Sequence, residues 1–453
     1  MEIGRIFFAG LSDSSEETLE ILKEFKPGGV ILYPSVLHDE VSLYEILEFL
    51  AGERVFITTD HEGGQMETIP YIPSSPGNMA LGFSNPKLTE EYARLSATIM
   101  KALGMNAVLA PVLDVHFPGS SAVIGLRSYG SDPKIVAERG VAAIKGYMGA
   151  GVVPCAKHFP GHGRSKEDSH EGKVIVDASF EEMWNVDIYP FKRAVEAGVP
   201  MVMTAHITVP AVEDLPATLS EFFIGEVLRK KLGFKGIVVS DAVEMKAIWD
   251  YFDPREVVRM FFKAGGDMII VSDVKNLPLY CEALEKEMDD PDVREKVEDA
   301  LEKIERITPI AERGFSMALE IARNASKVKA SKLPRKIHLV VPKGENLSQA
   351  DTSASYYERI EKVVRRLFEV EGVTRYEIFE GPPEVSADVI LDIVVDGFRS
   401  EKALKAHRNL GRNSRVVYLI IRDPRDADLL DGEKVITHSM NPVAVYEALK
   451  NLL

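Results

Sequence analysis

The chain has 453 residues, more than a single hydrophobic core usually supports, so one large domain and one smaller companion are expected. Hydrophobic residues make up 45% and charged residues 27%, a balance that excludes a disordered or membrane-embedded chain. Acidic residues outnumber basic ones 70 to 54, and a net charge of -16 opposes the phosphate neutralisation that nucleic-acid binding requires.

At the N-terminus the acidic stretch Ser12 to Glu20 follows a short apolar run with no basic segment before it, so no signal peptide is expected. No apolar run reaches transmembrane length. Eight short apolar, β-branched runs then recur: Gly4 to Ala9, Gly29 to Tyr33, Arg54 to Thr59, Asn106 to Ala110, Val152 to Ala156, Pro200 to Thr204, Gly236 to Ser240 and Asp267 to Val271. Between them apolar residues take helical spacing, as in Glu17 to Phe25, Glu91 to Leu103, Lys134 to Met148 and Glu182 to Glu196. Eight strand-then-helix units predict an α/β chain whose first part is a (β/α)8 TIM-type barrel, with its active site at the carboxyl ends of the strands. Several runs end there in polar residues: Asp60 and His61, Asp114, Lys157 and His158, His206, and Asp241. The loops after the third, fourth and fifth runs are long, which in compact domains points to function.

From Ala325 to Lys336 the sequence turns polar and breaks the helical pattern, so this stretch reads as a linker between a barrel over residues 1–324 and a second domain over 337–453. The second domain repeats the strand and helix alternation. Strands are expected at Ile337 to Val341, Tyr376 to Phe379, Val389 to Val395, Val416 to Ile421 and Lys434 to Thr437, and helices at Tyr356 to Val370, Glu401 to Arg408 and Pro442 to Leu452. An incomplete doubly wound parallel sheet is the predicted arrangement. Its expected role is structural support for the barrel, with an oligomer surface or a contribution to the cleft as the alternatives. The two cysteines, Cys155 and Cys281, lie far apart in apolar surroundings, which suits buried thiols in a reducing, cytoplasmic compartment.

Three segments carry chemistry. Lys157-His158-Phe159-Pro160-Gly161-His162-Gly163, continued by Asp168-Ser169-His170, begins where the fifth strand is expected to end. Any one of its histidines alone reads equally well as a satisfied loop residue; three histidines and a lysine together point to a site. His158 and His162 have the spacing of helical zinc ligands, but Pro160 and Gly161 between them forbid that helix. The second segment is Ser240-Asp241, an acid closing the run Ile237-Val238-Val239. A carboxylate fixed by a barrel strand can serve as a nucleophile, although an Asp after a strand is as often a helix cap. The third is Asp60-His61-Glu62-Gly63-Gly64. Its acidic residues, and the absence of a Gly-Lys-Ser/Thr element, argue against phosphate binding.

Together these segments resemble glycoside hydrolase family 3, in its β-N-acetylglucosaminidase branch. Ordered blocks carry the resemblance: Ile31-Leu32-Tyr33, Asp60 to Gly64, Ala110-Pro111-Val112-Leu113-Asp114-Val115, Ile124 to Gly130, Lys157 to His170, Thr204-Ala205-His206, Pro216 to Ser220, Gly233 to Gly236 and Ser240-Asp241. The resemblance implies a retaining exo-hydrolase for terminal β-linked N-acetylglucosamine, needing no cofactor and no metal. By carry-over from the family, Asp241 is the nucleophile and His170 the acid/base, with Asp168 as its partner. Asp60, Arg127, Lys157 and His158 would hold the sugar hydroxyls, with Asp114 and His206 in matching blocks beside them. The chain departs from the pattern at Gln65 and Thr68, where arginines are usual, and at Ala242, where a second aspartate is common. The expected partner is a small carbohydrate, from cell-wall fragments or chitin oligosaccharides, with no nucleic acid or membrane. Alternatives within the family are an N-acetylglucosaminide phosphorylase and a β-glucosidase; outside enzymes, the alternative is a catalytically silent sugar-binding protein.

Overall fold

A computed structural model describes residues 2–119, 123–165, 172–312, 324, 326–343, 354–411, 413–421 and 424–453. The chain divides into two compact units, Met1–Gly314 and Phe315–Leu453.

In the first unit eight strands follow the chain: β1 (Phe7–Leu11), β2 (Gly29–Leu32), β3 (Phe56–Thr58), β4 (Ala107–Val108), β5 (Val153–Phe159), β6 (Met201–Thr204), β7 (Ile237–Ala242) and β8 (Met268–Val271). They pair in parallel in the order β3-β2-β1-β8-β7-β6-β5-β4. The two ends of that order meet: Asn106 N donates to Ile57 O at 3.1 Å and Leu109 N to Thr59 O at 3.1 Å. The sheet is thus a barrel without a free edge. Its strands are continuous runs such as Phe7–Leu11 and Met268–Val271, buried along their whole length, because helices cover the outer face while side chains fill the interior. Helix starts are written locally. Ser15 caps Glu16–Phe25 by accepting from Thr18 N, and Asn85 and Asp132, each followed by proline, open Pro86–Ala102 and Pro133–Gly149.

Three boundaries and one added sheet differ from the sequence expectation. Ile3–Ile6 is a 3-10 turn, so the first strand begins only at Phe7; a Cβ on Gly4 would lie 1.7 Å from Phe25 O, a backbone approach that no strand side chain permits. The fifth strand runs on to Phe159, which makes Lys157 and His158 strand residues and not loop residues. The helix expected over Glu182 to Glu196 is two, Phe180–Asn185 and Tyr189–Glu196. Pro190 in the first turn of the second cannot donate a helical hydrogen bond, and Asp187 in the break is buried against Arg164 at 2.8 Å. A small three-stranded sheet, Val174–Ile175, Ile207–Val209 and Glu213–Pro216, was not expected.

The second unit contains β9 (Lys327–Lys329), β10 (Lys336–Pro342), β11 (Glu369–Tyr376), β12 (Val389–Val394), β13 (Arg415–Ile420) and β14 (Glu433–Ile436). Their order is β9-β14-β13-β12-β10-β11, parallel except for the edge strand β9, which runs antiparallel to β14. Strand β9 lies inside the stretch read from the sequence as a linker. Strand β11 starts at Glu369, where a helix was expected to continue, and it ends at Tyr376, where the strand was expected to begin. Among the described residues of the chain no helix is long and apolar enough to cross a membrane.

The barrel seam gives a test. The buried Asn106 side chain accepts from Ile57 N at 2.8 Å and donates to Val55 O at 2.9 Å, stitching β3 to the start of β4. Asn106→Ala leaves both backbone groups without those partners and should cost about 3 kcal/mol in urea unfolding. Unchanged stability would contradict the role given to this seam.

Candidate active site

The polar residues that end the strands gather at one rim of the barrel. Lys157, near the end of β5, is 2% exposed, and its ammonium lies 2.5 Å from Asp60 Oδ1 and 2.8 Å from Glu62 Oε1. Arg127 meets the same Glu62 in a fork, Nε to Oε2 at 2.8 Å and Nη2 to Oε1 at 2.7 Å. A third Arg127 contact, Nη1 to Val123 O at 3.0 Å, fixes the guanidinium plane. Glu62 is therefore the hub of the cluster, and it is a residue to which the sequence reading gave no role. Its signal was its position: two residues after Asp60, continuing the alternation of a strand, where side chains share a face. Burial alone would raise the Glu62 carboxyl, but Lys157 and Arg127 outweigh it and hold it down to about 2. The same contacts raise Lys157 and Arg127 against their own burial, so all three groups stay ionised.

A second cluster centres on Asp114, whose side chain is fully buried. Its Oδ2 lies 2.7 Å from His158 Nδ1, and its Oδ1 accepts from His162 N at 2.6 Å. Burial raises the Asp114 carboxyl, yet His158 and His162 bring it below the usual range. His162 itself is pushed down by burial, and Ser165 Oγ lies 2.8 Å from its Nδ1. With both Asp114 oxygens taken up by protein, the carboxylate orients the His158 ring. His206 is 1% exposed, with Nδ1 2.8 Å from Thr218 Oγ1 and Nε2 2.9 Å from Ala242 O.

Asp241 occupies β7 and remains partly exposed. Its Oδ1 accepts from the N–H of Ala242 at 2.8 Å, which fixes the side-chain rotamer. Burial works to raise this carboxyl; His158, His206, the Ala242 N–H and Lys157 together lower it, so the group is an anion at neutral pH. The structure thus joins Asp60, Arg127 and Lys157 through Glu62, and His158 to Asp114, with Asp241 in the field of His158, His206 and Lys157. Asp168 and His170 lie outside the described residues. Gln65 is exposed, while Thr68 is engaged by the protein: its hydroxyl is 3.0 Å from Thr59 Oγ1 and its carbonyl 3.1 Å from His38 Nε2. Among the described residues no group of three or more His, Cys, Asp or Glu is placed to hold a metal ion.

A parallel barrel with an ionised carboxylate on one strand end and fixed cations on others fits the general design of a carbohydrate-cleaving enzyme. Comparison with known proteins makes the class specific. Residues 3–307 match the glycosyl hydrolase family 3 N-terminal domain, and residues 335–452 match a β-N-acetylglucosaminidase C-terminal domain. The chain belongs to glycosyl hydrolase family 3 and is a glycoside hydrolase. Among solved structures, it is similar to a β-N-acetylglucosaminidase from Thermotoga maritima, with 42% identity, 99% of each chain covered and a TM-score of 0.91. It is also similar to a zinc-bound CbsA from Thermotoga neapolitana, with 41% identity, 100% of this chain and 99% of that one covered, and a TM-score of 0.92. A beta-hexosaminidase A from Pseudoalteromonas piscicida is 32% identical over 60% of this chain, and the match spans only about half, 51%, of that relative.

The Glu62 hub predicts an acid limb in stability. A carboxyl held at about 2 in the fold, against an ordinary 4.5, contributes stability that is complete above 4.5 and is lost as pH falls toward 2. Glu62→Gln should destabilise the fold by about 3 kcal/mol at neutral pH, because Arg127 loses its carboxylate partner and Lys157 one of its two. Urea unfolding across that pH window should show the gap between wild type and variant narrowing on acidification. A gap independent of pH would contradict the assignment.

Proposed function

We propose that the chain is a retaining exo-β-N-acetylglucosaminidase that releases terminal β-linked N-acetylglucosamine through a covalent glycosyl-enzyme intermediate. The observation that carries this reading is Asp241: an ionised carboxylate in a barrel strand, partly open, with one oxygen tied to its own backbone. The similarity to the β-N-acetylglucosaminidase from Thermotoga maritima, at 42% identity over nearly the whole chain, supports the substrate.

The chemistry follows from the geometry. With Oδ1 engaged by Ala242 N, Asp241 Oδ2 attacks the anomeric carbon, and the neighbouring cations keep it deprotonated for that step. Lys157 has three N–H donors, of which two point at Asp60 and Glu62, leaving one for a sugar hydroxyl. Arg127 spends three of its five donors on Glu62 and Val123, so two remain. Asp60, with its side chain 30% exposed, accepts from sugar hydroxyls, and Asp114 holds the His158 ring. His170, assisted by Asp168, protonates the leaving oxygen and then deprotonates the water that releases the sugar; both roles rest on the family resemblance. The unpaired, buried Cys155 and Cys281 suit a reducing, cytoplasmic setting, where cell-wall fragments or chitin oligosaccharides would be the source of substrate.

A panel of aryl β-glycosides, run in phosphate and in phosphate-free buffer, tests the activity. Free N-acetylglucosamine in both buffers is expected; sugar 1-phosphate would mean phosphorolysis, preference for the glucoside would mean a β-glucosidase, and no turnover would mean a binding protein. Asp241→Ala should abolish turnover, and a normal rate would remove it as nucleophile. His170→Ala should spare activated aryl leaving groups far more than natural disaccharides, and equal losses would contradict its role as acid.

A further inference from the structure

The backbone that carries Asp241 is irregular on both sides. Toward β8, Val239 pairs with Met268 and Ala242 with Ile270, so one extra residue bulges from β7 at Ser240 and Asp241. Such a bulge breaks the main-chain ladder and re-aims a side chain. A side chain fills the gap there: Ile270 N donates to Ser240 Oγ at 3.0 Å, and the ladder resumes at Val243 N to Ile270 O, 3.1 Å.

Toward β6 the ladder stops at Val239 and Met203. Carried three residues further, that register sets His206 opposite Ala242. There the imidazole takes over: Nε2 donates to Ala242 O at 2.9 Å, and since a carbonyl only accepts, this nitrogen carries a proton. The opposite ring nitrogen is braced by Thr218 Oγ1 at 2.8 Å, and that hydroxyl is held in turn by Ala205 O at 2.9 Å and Thr204 Oγ1 at 3.0 Å. The ring is 1% exposed, and both nitrogens are spent on protein. A sugar contact would need one of them.

We infer that His206 is a positioning residue for the nucleophile: its ring clamps the bulge after Asp241 and so aims the carboxylate, without touching the sugar. The inference rests on Asp241 being the nucleophile. It predicts a split between rate and binding. A displaced carboxylate attacks poorly, while the hydroxyl-holding cluster of Asp60, Arg127 and Lys157 is untouched.

The test uses the full chain, an aryl β-N-acetylglucosaminide as substrate and N-acetylglucosamine as competitive inhibitor. His206→Ala should lower kcat about 100-fold, the scale of a misplacement of about 1 Å, with the inhibition constant within about threefold of wild type. His206→Gln, whose amide N–H can still reach Ala242 O, should recover about tenfold of that loss. Thr218→Val keeps the imidazole but removes its brace, and should lower kcat several-fold with inhibitor binding unmoved; it and the Gln variant carry the test if His206→Ala does not fold. Inhibitor binding that weakens in step with activity would make His206 a sugar contact and overturn the inference. So would a kcat for His206→Ala within about threefold of wild type while Asp241→Ala is inactive. Turnover by Asp241→Ala would instead overturn the nucleophile assignment itself.

Discussion

The cations of this rim are ordered by one buried anion. Glu62, with a side chain 1% exposed, binds Lys157 at 2.8 Å and the Arg127 fork at 2.7 and 2.8 Å, joining the segment after β3 to the end of β5 and to the long loop after β4. Three buried charges of mixed sign are costly to desolvate, and a buried ionic network contributes little net stability relative to an apolar core. What it contributes is geometry. Lys157 and Arg127 keep unused N–H donors aimed by a fixed partner, which is the preorganisation that hydroxyl recognition needs. The same cations add to the field that keeps Asp241 charged.

The rim repeats this device with a second buried carboxylate. Asp114 sets the ring of His158, and Ser128 Oγ donates to Asp114 O at 2.6 Å to hold the carboxylate's own backbone. In this account Lys157, Arg127 and His158 are each backed by a buried carboxylate whose oxygens are spent on protein. Stability is drawn from elsewhere, from strands buried on both faces and from helices with written caps.

Much of the fold is legible in the chain because barrel strands are short, β-branched and separated by helices with proline and acid caps. The misplaced boundaries share a cause in tertiary packing. Gly4 is apolar enough for a strand but sits against the carbonyl of Phe25, and the break at Asp187 exists because Arg164 buries it. Lys157 and His158 looked like loop residues because charged side chains seldom continue a buried strand; here Asp60, Glu62 and Asp114 compensate them. Glu62 lies within the Asp60 to Gly64 motif, but its partners Lys157 and Arg127 come from distant parts of the chain, so its spacing from Asp60 is a weak local signal. The strand β9 was hidden for a related reason: Lys327–Lys329 is exposed and polar, and only its pairing with β14 makes it a strand.

The central claim is that the Asp241 carboxylate forms a bond to the sugar. Reaction with a slowly hydrolysed fluorinated N-acetylglucosaminyl donor, followed by proteolysis and peptide mass mapping, tests it directly. The account predicts one glycosyl mass on the peptide containing Asp241, at its carboxylate. A label on another residue, or continued turnover with no trapped adduct, would contradict it.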